Sequence, residues 1–498
     1  MEGFLIFFTI LELFDSFFTI FEENSTVMNN NENNSRRKFI KLAAIGSASL
    51  GVAPLNNVFG SGNISDKNSL YPEKKIPASK GKSVMGLWCE PLKTVRIGLI
   101  GLGMRGSGAV ERLLQVDGVE IKAIADVVEK NVKESNKKIT DAGFKAAIEY
   151  TGEEDWKKIC ERDDIDLIYQ CTPWLLHTTI AVYAMKHGKH AACEVPGAVT
   201  LEECWELVNT SEETQRHFMM LENCCYDFFE LNTLNMARNG VFGEIIHAEG
   251  AYLHDLRWLK FMKEGGYYKR WRLEYSKIHT GDPYPTHGLG PVAQLMGINR
   301  GDRFDYLTSV STNQFGLSLY ASEKFGANSP DALQSYKLGD MNTTLIRSVK
   351  GKTIMIQHDT TSPRPYSRIH RISGTKGMAV KYPDEQIALE PNAHEFLKKE
   401  DFDTLMKKYE HPLATQIGEK AKKVGGHGGM DFIMDYRLVY CLRNGLPLDQ
   451  DVYDAAAWCS IVPLSERSVL NRGNSIDVPD FTRGAWEKAA PWPIVTID

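Results

Sequence analysis

Between residues 94 and 225, short unbroken apolar runs alternate with amphipathic stretches. TVRIGLI (94–100), VEIKAIA (119–125), IDLIYQCTP (165–173), HAACEVP (190–196) and FMMLENC (218–224) are rich in β-branched and other apolar residues. Runs of this length with no polar alternation are the pattern of strands buried on both faces. Helices are predicted between them: over SGAVERLLQV, from about Leu175, and from near Leu201. Strands alternating with helices argue for a parallel, doubly wound sheet. Beyond Tyr226 the alternation fades. Residues 243–255, 303–315, 343–350 and 352–360 read as longer strands separated by loops, the pattern of a mostly antiparallel open sheet. Helical periodicity returns at 430–445 and 452–470. The expected fold class is therefore α/β, with a Rossmann domain at 93–225 and an α+β substrate domain with a large open sheet at 226–498.

The first ninety residues follow other rules. Residues 1–27 are apolar and aromatic, but Glu12 and Asp15 interrupt them, so they make a poor membrane span. Met28 then opens a polar stretch leading to Ser35-Arg36-Arg37-Lys38-Phe39 and the weakly apolar LAAIGSASLGVAPL. A twin arginine before such a segment is similar to a Tat export signal, giving an expected true start at Met28, a leader within 1–60 and an exported, periplasmic destination, with surface association as an alternative. The alternative is an N-terminal anchor helix. Residues 61–92, rich in Ser, Gly, Lys and Pro, read as a linker.

Composition narrows the function classes. The chain of 498 residues is 43% hydrophobic and 24% charged with a formal net charge of −6, a globular balance that argues against nucleic acid as a partner. Nine cysteines, none in a CxxC pair, do not describe a disulfide framework and read as small buried apolar residues.

The chemistry begins at the first strand. Gly101-Leu102-Gly103-Met104-Arg105-Gly106 fits GxGxxG between a strand and a helix, and Asp126 ends the second strand 20 residues past Gly106. Glycines admit a pyrophosphate to the helix N-terminus. A carboxylate at that place accepts ribose hydroxyls and repels a 2′-phosphate, which points to NAD. Ligands bind outside the carboxyl ends of such strands, which gathers Thr172–His177, Glu194–Val195 and Asn223 around the cofactor.

These motifs resemble the glucose–fructose oxidoreductase/inositol dehydrogenase/rhizopine-catabolism superfamily over roughly 93–475, through GLIGLGMRG (98–106), TPWLLH (172–177), CEVP (193–196) and GHGGMDF (426–432). Dehydrogenases of that superfamily carry Glu-Lys-Pro, whose lysine assists oxidation of a hydroxyl. Here the motif is Glu194-Val195-Pro196, and valine cannot move a proton. That variant, with ENCCY (222–226), YPTHGLGP (284–291) and PRPYSR (363–368), resembles glycoside hydrolase family 109. The resemblance implies an α-N-acetylgalactosaminidase with tightly held NAD, acting on a glycan or glycoconjugate by oxidation at C3, elimination, addition of water and reduction. NAD-dependent hydrolysis is a known exception to the two-carboxylate scheme of glycosidases.

By motif, Gly101, Gly103, Met104, Arg105, Asp126, Trp174, Leu175, Leu176, His177, Glu194, Val195, Asn223 and Tyr284 would contact NAD. Tyr252, Arg272, Tyr284, Pro285, Thr286, His287 and Tyr366 would line the sugar pocket. His287 and Tyr284 are the expected acid–base groups, tyrosine on condition that its neighbours lower its pKa. Other roles stay open. His177 either contacts the cofactor or caps a helix, His427 either reaches the site or fills its turn, and the stretch Trp258–Trp271 either stacks on sugar or packs internally. His279, Asp282 and His287 lack metal-ligand spacing, and no metal is expected. An exported NAD(P)-dependent sugar dehydrogenase is the alternative enzyme, and a non-catalytic sensor the alternative outside enzymes. Open sheets in this superfamily often pair, so a homodimer is expected.

Overall fold

The computed structural model describes residues 78–79 and 81–497; the leader, the Met28 start and most of the linker lie outside them. The described end of the linker is fastened down. Val84 is buried and its N–H donates to Tyr453 Oη at 3.1 Å, while Leu92 N–H donates to the Leu442 carbonyl at 3.1 Å. The scattered apolar residues among Ser, Gly and Lys are what hold it there.

The first sheet has six parallel strands: β1 (Val95–Ile100), β2 (Val119–Ala125), β3 (Ile148–Tyr150), β4 (Leu167–Gln170), β5 (His190–Cys193) and β6 (Phe218–Met220). Their spatial order is β3-β2-β1-β4-β5-β6, so the chain reverses direction across the sheet between β1 and β4. This is the Rossmann order, with its ligand crevice at that reversal. β1, β4 and β5 are buried nearly throughout, as their apolar runs predict. Several strands are shorter than their apolar runs. Asn223, expected at the end of β6, lies in a 3₁₀ turn (Asn223–Tyr226), and the helix expected from Leu175 is a 3₁₀ turn (Trp174–Leu176) followed by an α-helix, His177–Lys186.

The second sheet comprises β7 (Ile245–Leu253), β8 (Phe304–Ser311), β9 (Asn342–Ser348), β10 (Thr353–Asp359), β11 (Arg371–Gly374), β12 (Gly377–Val380), β13 (Gln386–Leu389) and β14 (Ile476–Asp477). Their order is β13-β12-β11-β7-β10-β9-β8-β14, antiparallel except for β7 beside β10. The last residues of the run 303–315 leave the sheet, and a helix follows at Gly316–Phe325. Helices Met430–Asn444 and Val452–Leu470 return to the first sheet's surroundings. The first is tied there by Arg112 Nε and Tyr169 Oη, which donate to Asp435 at 2.7 and 2.8 Å. The second starts with a capping box between Asp451 and Asp454.

One helix of the second part was not announced by periodicity. Thr286–Met296 contains Gly288, Gly290 and Pro291, residues that weaken a helix in isolation. The glycines serve packing. A Cβ on Gly288 would stand 2.1 Å from Ala251 N, a Cβ on Gly250 2.3 Å from the Gly288 carbonyl, and a Cβ on Gly290 2.8 Å from Glu222 Cγ. The helix backbone therefore lies directly on β7, and burial of nearly the whole helix repays its poor propensity.

Candidate active site

The carboxyl ends of the first sheet's strands carry the groups expected to meet a dinucleotide. Gly101 has φ +86°, and a Cβ on Gly106 would overlap the Gly101 carbonyl, so both glycines serve the turn itself. Gly103 differs: a Cβ there would meet no atom within 4 Å. The space beside it is where a pyrophosphate approaches the helix Met104–Leu113. Asp126 accepts hydrogen bonds from Leu102 N (2.6 Å) and Val128 N (2.7 Å), which aim a carboxylate that retains acceptor capacity for ribose hydroxyls. Met104, Leu175 and Leu176 are exposed. Arg105 bridges Glu194 (2.7 Å) and Asp431 (2.9 Å), and Asp431 also receives Asn223 Nδ2 and the Nδ1 of His427 at 3.0 Å. His427 thus reaches the cofactor side, beside Arg105 at 3.2 Å, and does more than fill its turn. These residues fit NAD.

Two expectations for this region change. His177 is fully buried, and its ring nitrogens lie 2.7 Å from the carbonyl oxygens of Pro196 and Thr172. Burial holds its pKa below the ordinary value against the pull of those carbonyls. The neutral ring donates its one N–H to one of those carbonyls and sits enclosed between the β4 turn and the loop after β5, with no surface left for a cofactor. Val195 is likewise buried, with its side chain in the core.

The acid–base cluster forms where the helix Thr286–Met296 meets the end of β6. His287 Nδ1 lies 2.8 and 3.0 Å from the two oxygens of Glu222, a carboxylate with no exposed surface. Burial pushes the Glu222 carboxyl up, but His287 and the Cys224 N–H outweigh it and hold the group below the usual range. Glu222 is therefore ionised and can only accept. Facing that acceptor, His287 Nδ1 donates to it, and Nε2 is the nitrogen turned to the Tyr284 hydroxyl, 3.4 Å away. Glu222 was not singled out from the sequence, although it begins ENCCY; a lone carboxylate after a strand has no spacing signature. Donor atoms of Glu222, Cys224 and His287 lie within 4.8 Å of one another, and the imidazole and the carboxylate hydrogen bond each other directly.

Tyr284 does not meet its condition. Burial raises its pKa well above the ordinary value, and the nearby Arg272 guanidinium offsets this only in part. Its hydroxyl stays protonated and acts as a donor. Arg272 is half-buried in a cage of rings, 4.8 Å from the centroids of Trp174, Tyr267 and Tyr284 and 5.2 Å from that of Trp271. Its charge lies close to the hydroxyls of Tyr284 and Tyr252 and favours their ionised forms, though less than burial opposes them. Trp174 stacks on Tyr284 at 5.6 Å, so this cofactor candidate also frames the sugar side. Trp271 is packed here, whereas Trp258 is exposed.

The remaining pocket candidates converge. Tyr252 closes β7, its ring 4.6 Å from Tyr284, 5.4 Å from His287 and 6.2 Å from Tyr366. Tyr366 sits over a buried ion cluster in which Arg368 and Lys381 both pair with Asp227 and Glu230. Pro285 caps the helix that carries Thr286 and His287. One site therefore combines a dinucleotide cradle, an imidazole base oriented by a buried carboxylate, and an aromatic wall around a fixed guanidinium.

Comparison with known proteins agrees with this arrangement. Residues 95–222 match the family described as an oxidoreductase family with NAD-binding Rossmann fold, and residues 226–488 match the family described as glycosyl hydrolase 109, C-terminal domain. The chain is 56% identical over 407 residues to an alpha-N-acetylgalactosaminidase of Bacteroides fragilis, covering 81% of this chain and 96% of that protein. It is 50% identical over 440 residues to a glycosyl hydrolase family 109 protein of Porphyromonas gingivalis, covering 85% and 92%. Among solved structures, levoglucosan dehydrogenase in complex with NADH and L-sorbose superposes with a TM-score of 0.60 at 20% identity, over 78% of this chain and 100% of that one, a likeness of fold. The chain belongs to glycosyl hydrolase family 109.

Proposed function

We propose that the protein hydrolyses terminal α-linked N-acetylgalactosamine from glycans, with NAD held as a resident catalyst. The observation that carries the reading is the Glu222–His287 pair beside Tyr284 at the carboxyl edge of an NAD-type sheet, in a chain whose Glu-Val-Pro motif lacks the dehydrogenase lysine. When bound, NAD supplies a hydride acceptor and donor. The residues do the rest. His287 Nε2 accepts a proton from the sugar, and Glu222 stabilises the imidazolium that results. Tyr284 donates a hydrogen bond from its protonated hydroxyl to a sugar oxygen. Arg272, stacked 4.8 Å from the Tyr284 ring, positions it. Gly101, Gly103, Met104, Arg105, Asp126, Glu194 and Asn223 hold or border the dinucleotide.

The test uses purified protein, para-nitrophenyl α-N-acetylgalactosaminide and no added NAD, reading nitrophenol and NADH absorbance together. Nitrophenol release without lasting NADH is expected. NADH accumulating with free sugars and added NAD, and no nitrophenol, would replace the glycosidase with a sugar dehydrogenase. We also propose export through the Arg36-Arg37 signal and pairing through the second sheet, where exposed Tyr306, Val310 and Leu345 share one face. Among the described residues no helix is long and apolar enough to cross a membrane. Light scattering and the N-terminal sequence of the secreted protein test both proposals.

A further inference from the structure

A groove of about 700 Å³, none of whose lining residues belongs to the acid–base cluster, is walled by Lys381, Tyr382, Glu385, Leu397, Lys399 and Phe402 among others. Its place follows from the order of the second sheet. β11 runs antiparallel to β7, β12 antiparallel to β11, and β13 antiparallel to β12. The carboxyl ends of β7 and β12 and the amino ends of β11 and β13 therefore share one end of the sheet. Tyr252 lies there at the end of β7, Tyr366 in the segment before β11, Lys381 and Tyr382 just after β12, and Gln386 at the start of β13. Three inter-strand spacings carry this row about 14 Å from the site. Ring contacts link it: Tyr284 to Tyr252 at 4.6 Å, Tyr252 to Tyr366 at 6.2 Å and Tyr366 to Tyr382 at 6.1 Å.

The lining alternates chemistry in a manner suited to sugar. Tyr382, Phe402 and Leu397 offer apolar surface to the C–H face of a pyranose, while Glu385 can hydrogen bond its hydroxyls and Lys399 pairs with Asp403. Lys381 is already committed to Asp227 and Glu230 and serves as wall. We propose that this groove binds the part of the glycan on the leaving side of the scissile bond, so that the enzyme selects its substrates by the sugars that carry the terminal residue as well as by that residue. The proposal rests on the glycosidase reading above.

The experiment compares two substrates with the same terminal sugar, para-nitrophenyl α-N-acetylgalactosaminide and a trisaccharide, using full-length wild type, Phe402→Ala and Glu385→Gln. Each variant should lower kcat/KM on the trisaccharide about tenfold and leave the aryl glycoside within about twofold, the effect of one lost contact in a subsite that the aryl group does not fill. Glu385→Gln keeps the shape of the side chain and covers the case in which Phe402→Ala loosens the helix Lys399–Lys408. Equal losses on both substrates, or none on the trisaccharide, would overturn the proposal. A second arm needs no hydrolysis: the reducing-side disaccharide is titrated calorimetrically into wild type and Phe402→Ala, with a loss in affinity of about tenfold expected. Binding without hydrolysis would sink the glycosidase reading alone; hydrolysis with unchanged disaccharide binding would sink the groove alone.

Discussion

Replacing Glu222 by glutamine removes a charge and almost nothing else. The carboxylate is fully buried and holds His287 Nδ1 at 2.8 and 3.0 Å. When His287 accepts a proton, the two unit charges are centred about 4 Å apart, which at an effective dielectric of about 20 is worth about 4 kcal/mol. Glutamine retains an oxygen acceptor, so part of the orienting hydrogen bond survives and the loss falls below that ceiling. A loss of about 3 to 4 kcal/mol corresponds to a fall of about 10²- to 10³-fold in the rate of proton transfer. The assay is nitrophenol release from the aryl glycoside. kcat should fall by that factor while KM moves by no more than about threefold, since Glu222 reaches substrate only through His287. Glu222→Asp, which keeps the charge but withdraws it by one methylene, should lie between. A Glu222→Gln enzyme with kcat within about threefold of wild type and an unchanged melting temperature would refute the role assigned to the pair.

Three further outcomes are expected. Gly103→Ala should leave folding stability within about 0.5 kcal/mol, because φ is −66° and the new methyl meets no protein atom, yet it should purify with less bound NAD, measured after acid release. Arg272→Lys keeps a cation but loses the planar stacking among four rings, so kcat/KM should fall about 10- to 100-fold; an unchanged value would show that the cage is decorative. Burial pushes the carboxyl of Asp282, which accepts the Tyr284 N–H, up to about 7. The folded state then holds a proton that the unfolded chain releases near pH 4, so this group's contribution is complete below that pH and is lost as pH rises to about 7, some 4 kcal/mol in all. Urea melts at pH 5 and pH 8 should show a smaller fall for Asp282→Asn than for wild type, and parallel falls would exclude a raised Asp282.

The legible part of this protein is the part written in local pattern. β1, β4 and β5 are buried on both faces, so their side chains could only be continuous apolar runs, and the glycine turn between β1 and its helix needs specific residues at fixed offsets. The helix Thr286–Met296 was hidden because its glycines answer to β7 and to Glu222, not to helix propensity. The Glu222–His287 pair spans 65 positions, and nothing near either residue announces the other. His177 sits in a motif that resembles a cofactor contact, but burial encloses its ring between two backbone carbonyls. Tyr284 lies beside His287 in the structure, while its protonation is set by a depth of burial that sequence does not encode.

The contact between Gly288 and Gly250 bears on how this enzyme can change over generations. Where a helix rests on a sheet through side chains, each substitution in the layer between them shifts the helix slightly, and a neighbouring site drifts with the core. Here the helix that carries His287 touches the strand that carries Tyr252 backbone to backbone. That separation has no adjustable filler. Mutations elsewhere in the core can accumulate without moving the imidazole relative to the tyrosine, and the two glycines cannot be exchanged for anything larger. Lineages descending from this protein should therefore vary freely in their groove-lining loops, and so in the glycans they accept, while the distance between His287 and Tyr252 stays constant.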